Sequence, residues 1–201
     1  MNDMLSYERD YWQKQEEVIG IDEAGRGPLA GPLLVAGVIL PIGFFHPDII
    51  DSKKLSAKKR EVLYEIISNE AIAFQISIID PKLIDELNIY QATKRAMLDI
   101  AKMLPATQVL VDAMPLACDK NVLSIIKGDD KSISIAAASI LAKVERDRIM
   151  YEYDNLYPEY DFKNNKGYPT KKHVAALQQY GYTPIHRLTY NPVFNSKKIK
   201  Y

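Results

Sequence analysis

Cysteine is almost absent from this chain. Cys118 stands alone among 201 residues, so an internal disulfide is excluded, and a nucleophilic role for it lacks a placed base. Histidine is nearly as scarce: His46, His173 and His186 are too scattered to suggest a zinc site, which leaves them surface or packing roles. An excess of charge of one sign is missing too. The 26 Lys and Arg residues balance 26 Asp and Glu, so bulk electrostatics announce no particular partner. No apolar run reaches membrane-span length, because the longest, Pro28 to Ile42, is broken by glycines and prolines. The first residues, with Asp3, Glu8, Arg9 and Asp10, lack the basic and then apolar layout of a signal peptide. The solitary cysteine suits a reducing compartment, so the chain is expected to be cytoplasmic; it is also expected to be a monomer without membrane association.

What is present is enough chain for one ordinary domain, with charge that is uneven along it. Lys53, Lys54, Lys58, Lys59 and Arg60 cluster, as do Lys163, Lys166, Lys171 and Lys172, and Lys197, Lys198 and Lys200 close the chain. Solvated helix faces explain any one cluster, and a frayed end explains the last as well as a docking tail does. Val18-Ile19-Gly20-Ile21 reads as a buried strand ending in Asp22-Glu23, and Leu33 to Leu40 as a second strand beyond a glycine-rich turn. Phe74 to Ile79 alternates like a strand. Val109-Leu110-Val111 repeats the first design and ends in Asp112, and Val122 to Ile126 leads into Lys127-Gly128-Asp129-Asp130.

Helical spacing fills the intervals. Ser56 caps a helix carrying Val62, Leu63, Ile66 and Ile67, and a helical pattern runs from Pro81 to Leu104. Ile135 to Ile149 has a small-residue face (Ala136, Ala137, Ala138, Ser139, Ala142) suited to close packing on a sheet. Thr170 caps a last helix that stops at Gly181. Strands followed by helices predict a three-layer α/β/α domain with a mixed central sheet. About residues 17–160 form its core and 161–201 a short helical C-terminal extension completing the same domain.

Asp22-Glu23, Asp112 and Asp129 each sit where a strand, or a strand and its short turn, ends. In open α/β sheets functional sites gather beyond the carboxyl ends of strands. An acid there is commonly a turn former or helix cap, but parallel pairing of the first and fourth strands would bring Asp22 and Asp112 close together. Carboxylates that near repel one another unless protons or cations neutralise them. Oxygen ligands with no convergent His or Cys favour Mg²⁺ or Mn²⁺, and such sites suit in-line phosphoryl chemistry with one ion at the attacking water and one at the leaving oxygen. Periodicity does not separate Asp129 from Asp130.

The segment Gly20-Ile21-Asp22-Glu23-Ala24-Gly25-Arg26-Gly27-Pro28-Leu29-Ala30-Gly31-Pro32 is neither a dinucleotide fingerprint nor a P-loop. It closely resembles the signature of ribonuclease HII, the type-2 ribonuclease H family. Further matching blocks follow in order: Asp51-Ser52-Lys53-Lys54-Leu55-Ser56, Asp85-Glu86-Leu87-Asn88-Ile89, Val111-Asp112-Ala113 and Lys127-Gly128-Asp129. The run from Ser134 to Val144 with Arg146-Asp147, then Lys166-Gly167-Tyr168-Pro169-Thr170 and His186-Arg187, complete a resemblance that extends from about Val18 to Phe194.

The resemblance implies a ribonuclease H-like fold and the endonucleolytic cutting of RNA–DNA hybrids, and of duplex DNA carrying single ribonucleotides, with Mn²⁺ or Mg²⁺. Asp22, Glu23, Asp112 and Asp129 match the family's four catalytic and metal-binding carboxylates; the acid directly after the glycine is Asp129. Gly25, Arg26 and Gly27 match the turn that contacts the 2′-OH, the group that tells RNA from DNA. Tyr168 matches a tyrosine that packs on the deoxyribose after the ribonucleotide. Lys53 and Lys54 are expected at phosphates, with Lys143, Arg146 and Arg187 as further candidates. About seventeen residues precede the first strand, too few for the added domain usual in ribonuclease HIII. The rival readings, a different ribonuclease H-like strand cutter or a silent hybrid-binding module, would lack the 2′-OH sensor or one of the acids.

Overall fold

The computed structural model describes residues 3–196 and turns the apolar runs into strands β1 (Val18–Ala24), β2 (Leu33–Ile39), β3 (Ala73–Ile79), β4 (Gln108–Asp112) and β5 (Asn121–Ile125). The basic tail with Lys197, Lys198 and Lys200 lies outside the described residues. Sheet order is β3-β2-β1-β4-β5. β1 pairs with β2 antiparallel and with β4 parallel, and β4 pairs with β5 parallel, giving the mixed sheet that the sequence predicts. The three middle strands are apolar because both of their faces are covered.

Two glycines show how. Gly20 has no room for a side chain, since a Cβ would fall 2.1 Å from the carbonyl carbon of Ser134, at the start of the long helix α5 (Ile133–Leu156). Gly37 lies across from Ile21, and its Cβ would fall 2.3 Å from Ile100 on α4 (Ile89–Met103). Successive residues of a strand face opposite sides, so α5 covers the Gly20 face and α4 the Ile21 face. Asp22 shares the Gly20 face.

The other helices are α1 (Glu8–Trp12), α2 (Ala57–Glu70), α3 (Pro81–Leu87), α6 (Phe162–Asn165) and α7 (Lys171–Tyr180). Ser56 and Thr170 accept the backbone N–H groups of Lys59 and His173, the cap bonds their positions foretell. The pattern from Pro81 to Leu104 is two helices, not one: Asn88 adopts φ +64° and breaks it. A positive φ is uncommon for a residue other than glycine, and a periodicity count does not register it. α5 outruns the Ile135–Ile149 expectation at both ends. Its start is fastened by buried Glu8, whose carboxylate accepts from the Ser132 hydroxyl and, at 3.0 Å, from the Ser134 N–H. No helix among the described residues is long and apolar enough to cross a membrane.

The chain forms two compact units. One comprises Met1–Ala24, Leu34–Ser77 and Thr93–Val144, and the other Gly25–Leu33, Ile78–Ala92 and Glu145–Tyr201. Residues 161–196 thus share a unit with the glycine-rich turn and α3. Ala30, Met150, Tyr160, Phe162, Ala176 and Ile185 form the apolar centre of this second unit, with Leu29, Leu177 and Val193 beside one another in a smaller cluster. Asp85 on α3 secures the late chain by accepting from the N–H groups of Leu188 at 2.7 Å and Thr189 at 3.0 Å.

Candidate active site

The acidic residues of the first unit converge for a topological reason. β1 and β4 run parallel in a register that pairs Ile21 with Val111, so Asp22 and Asp112 are the next residues along. Side chains at matched positions of adjacent parallel strands point to one face about 4.8 Å apart. Asp22 is buried, with its Oδ1 accepting the Glu23 N–H at 2.8 Å and its carboxyl also bonded by the Ser139 hydroxyl. Burial, then the charges of Glu23 and Asp112, push the Asp22 carboxyl well above the usual carboxylate range. Asp112 Oδ1 accepts the Gly128 N–H at 2.7 Å, which fastens the turn that carries Asp129. Lys127 takes φ +55° to make that turn, and Asp129 is buried within it.

A 3-10 turn at Ser52–Lys54 brings the lysines to this cluster, its entry fixed by Asp51 accepting the Lys53 N–H at 2.9 Å. Lys53 Nζ lies 2.9 Å from Asp129 and 3.7 Å from Asp51. Partial burial opposes its charge, but Asp129, Asp51 and Asp22 outweigh that and raise its pKa. Lys54 pairs with Asp130 instead. The two aspartates that sequence periodicity leaves equivalent thus separate: Asp129 is buried at the cluster and Asp130 is half-buried against Lys54. Ser52 and Ser139, hydroxyl oxygens 2.9 Å apart, join the lysine turn to Asp22 through α5. Sequence reading saw Ser139 only as a small residue for packing.

The second unit contains the Gly25-Arg26-Gly27 turn. Arg146 and Arg187, two of the candidate phosphate contacts, are buried beneath it, where their guanidinium groups hold backbone carbonyls. Arg146 donates to Pro32 (3.0 Å), Lys166 (2.9 Å) and Ala30 (3.2 Å). Arg187 donates to Gly25 (2.6 Å), Arg26 (2.9 Å) and Gly31 (2.9 Å). Burial and the neighbouring Arg187 charge push Arg146 down to about 10, and burial lowers Arg187 as well. These arginines therefore shape the turn from inside in place of a direct phosphate contact. Apart from Lys166, their carbonyl partners lie more than a hundred residues away in sequence, so no local pattern reveals the role.

Above them, Arg26 and Gly27 are exposed while Gly25 is buried with φ +99°. Tyr168, half-exposed on a loop held by Gly167 at φ +83°, places its ring edge 3.5 Å from where a Gly27 Cβ would stand. Lys143 is half-buried on α5 in the first unit.

Among the described residues, no three His, Cys, Asp or Glu side chains close into a ready metal cage. The donor chemistry still suits a hard divalent cation, because a carboxyl raised by burial and by two acidic neighbours is relieved by positive charge. Mg²⁺ commonly takes one or two carboxylates and completes its shell with water and substrate phosphate, so a full protein cage is not required.

A sequence profile of the family described as Ribonuclease HII matches residues 19–193. The Ribonuclease HII of Listeria innocua is 54% identical over 198 residues, covering 97% of this chain and 76% of that protein. The crystal structure of ribonuclease H2 from Pyrococcus horikoshii is similar with a TM-score of 0.78 at 26% identity, over 89% of this chain and 96% of that one. Ribonuclease HII of Archaeoglobus fulgidus, solved in a complex with PCNA, gives 0.75 at 27% identity, over 87% and 95%. Profile, sequence and fold agree over nearly the whole chain, which belongs to the ribonuclease HII family and is an endoribonuclease of the ribonuclease H class.

Proposed function

We propose that this protein hydrolyses the RNA strand of RNA–DNA hybrids and incises 5′ of single ribonucleotides in duplex DNA, leaving 3′-OH and 5′-phosphate ends. Such incision would open ribonucleotide excision repair in the cytoplasm. The observation that carries the reading is the cluster at the ends of β1 and β4, where buried Asp22 is crowded by Glu23 and Asp112. Asp22, Glu23, Asp112 and Asp129 would hold Mn²⁺ or Mg²⁺. Bound there, the ions supply an activated water and charge stabilisation at the leaving 3′ oxygen.

The protein's own groups do the rest. Ser139 and the Glu23 N–H orient the Asp22 carboxyl, and the Gly128 N–H orients Asp112. Lys53 neutralises Asp129 in the resting protein, and with Lys54 it offers positive charge to the substrate's phosphates. Gly25, Arg26 and Gly27 read the 2′-OH, from a turn whose carbonyls Arg187 and Arg146 hold in place. Tyr168 offers a half-exposed ring to the deoxyribose that follows the ribonucleotide. Lys143 is a further candidate for a phosphate.

The test is an end-labelled DNA duplex with one ribonucleotide, incubated with Mn²⁺ or Mg²⁺ beside an all-DNA duplex and an Asp112→Asn variant. One metal-dependent cut 5′ of the ribonucleotide, missing from both controls, is the expected result. Cutting of long hybrids with the lone ribonucleotide spared would overturn the Tyr168 role. No cutting of either substrate would favour a binding module.

A further inference from the structure

The histidines that lie apart in sequence meet inside the second unit. His173 and His186 are buried with their Nε2 atoms 3.0 Å apart, and the rings of Tyr160 and Phe162 stand against them. Their outer nitrogens fix where the protons sit. His173 Nδ1 lies 2.9 Å from the Tyr168 carbonyl oxygen, which can only accept, so Nδ1 carries a hydrogen and donates it. His186 Nδ1 receives the Thr183 backbone N–H at 3.0 Å, which can only donate, so that nitrogen is bare and the Thr183 hydroxyl, 2.8 Å away, donates to it as well. With both rings neutral, His186 Nε2–H donates to His173 Nε2, and His173 Nδ1–H donates to Tyr168. Neutrality agrees with burial, which lowers both groups, His186 to about 3.

This directed chain of hydrogen bonds ends at the one exposed aromatic of the loop before α7. The Tyr168 N–H donates to the Asn165 carbonyl at 2.9 Å, and the Tyr168 carbonyl also receives the Thr170 N–H at 2.8 Å. Asn165 is anchored in turn, donating to the Tyr160 carbonyl and accepting the Gly167 N–H at 2.7 Å. Peptide planes on both sides of the Tyr168 Cα are therefore held, and the ring extends from a fixed root beside Gly27.

We propose that His173, oriented by His186, is a positioning residue for Tyr168: its Nδ1–H sets the Tyr168 peptide, and so where the ring meets the sugar at an RNA–DNA junction. The inference rests on Tyr168 being the junction sensor, as proposed above.

Two substitutions separate this role from general packing. His173→Leu removes the donor to Tyr168, whereas His173→Asn keeps an amide N–H near the Nδ1 position. Both abolish the histidine–histidine bond, so both share its loss of stability. The quantity to measure is kcat/KM on a one-ribonucleotide duplex divided by kcat/KM on a continuous hybrid, with Tyr168→Ala as reference. Tyr168→Ala and His173→Leu should both lower this ratio, the latter about tenfold, as the loss of a well-placed hydrogen bond implies. His173→Asn should stay within about threefold of the parent. A Tyr168→Ala, His173→Leu double variant should match Tyr168→Ala alone.

If Tyr168→Ala lowers the ratio and His173→Leu does not, the positioning role is wrong and the sensor stands. If Tyr168→Ala leaves the ratio unchanged, the sensor reading and this inference fall together. Should His173→Leu fail to fold, ¹⁵N imidazole spectra of the unmodified protein still decide the proton positions. Hydrogens on His173 Nδ1 and His186 Nε2 are required, and any other pair of tautomers overturns the proposal.

Discussion

Replacing Asp22 by Asn should make the metal-free protein more stable while destroying its activity. Asp22 is only 3% exposed, and burial followed by the charges of Glu23 and Asp112 raises its carboxyl above the usual range. A carboxyl with a raised native pKa is protonated more readily folded than unfolded. Stability is therefore lost as pH rises from the unfolded value through the folded one, and the ionised group weighs against folding above both. Asparagine removes that charge yet can still accept the Glu23 N–H, which Asp22 does at 2.8 Å. Lys53 offsets part of the repulsion in the parent, which keeps the expected gain modest.

Relief of a strained functional site is commonly worth about 0.5–2 kcal/mol. At about 2–4 °C per kcal/mol for a chain of this size, the variant should melt about 1–8 °C higher in EDTA at pH 8. Saturating Mg²⁺ should reverse the order. Binding at a hundred times Kd adds about 2.7 kcal/mol to the parent, and less to a variant that has lost a ligand. Thermal melts with and without Mg²⁺, at pH 5 and pH 8, carry the test, and the gap in EDTA should narrow at pH 5. A variant less stable than the parent in EDTA at pH 8 would refute the argument that Asp22 is held at a cost. Equal stabilisation of both proteins by Mg²⁺ would refute its role as a ligand.

Three further expectations follow from other residues. Gly20→Ala must displace α5 by more than an ångström, because the new Cβ falls 2.1 Å from backbone of Ser134; a loss of about 3 kcal/mol or more is expected in urea unfolding. Neutral His186 gives acid sensitivity: with a native value of about 3 against about 6.5 unfolded, its contribution is complete above pH 6.5 and is lost as pH falls toward 3. That amounts to about 3 kcal/mol by pH 4.5, and unfolding of His186→Gln from pH 8 to 4.5 should show a shallower decline than the parent. Asp85→Ala removes the acceptor for the N–H groups of Leu188 and Thr189, so faster hydrogen exchange at these two amides is expected, with about 1–2 kcal/mol less stability.

The placing of the acids was legible because the signal is local: an apolar run that stops at an acid gives a strand and its carboxyl end within six residues. Parallel pairing of β1 with β4 then brings Asp22 alongside Asp112. Asp129 needed the resemblance, since Gly128-Asp129-Asp130 offers two equal candidates until tertiary contacts divide them. The break at Asn88 was concealed by apolar spacing that continues through it. Arg146 and Arg187 were expected at phosphates, and the histidines' packing role was left without a partner, for one reason. A charged or titratable side chain in isolation reads as a surface group, and only its distant carbonyl or imidazole partners make burial tolerable.

The space around Gly25 also limits how substrate preference could drift. A side chain there would need a strained φ of +99° and would fall 2.1 Å from Arg146 Nε, so the position is closed from within whatever the substrate tolerates. Gly27 is different: its φ is not in the left-handed range, and a Cβ would touch only the Tyr168 ring edge at an ordinary 3.5 Å. One neighbour of the arginine is thus mutationally frozen and the other is open. If the turn reads the 2′-OH as proposed, selection toward a looser sugar requirement has its first single-step route at Gly27, whereas Gly25 stays closed even without Arg146, by its φ and by the Pro32 carbonyl oxygen 2.9 Å from a Cβ.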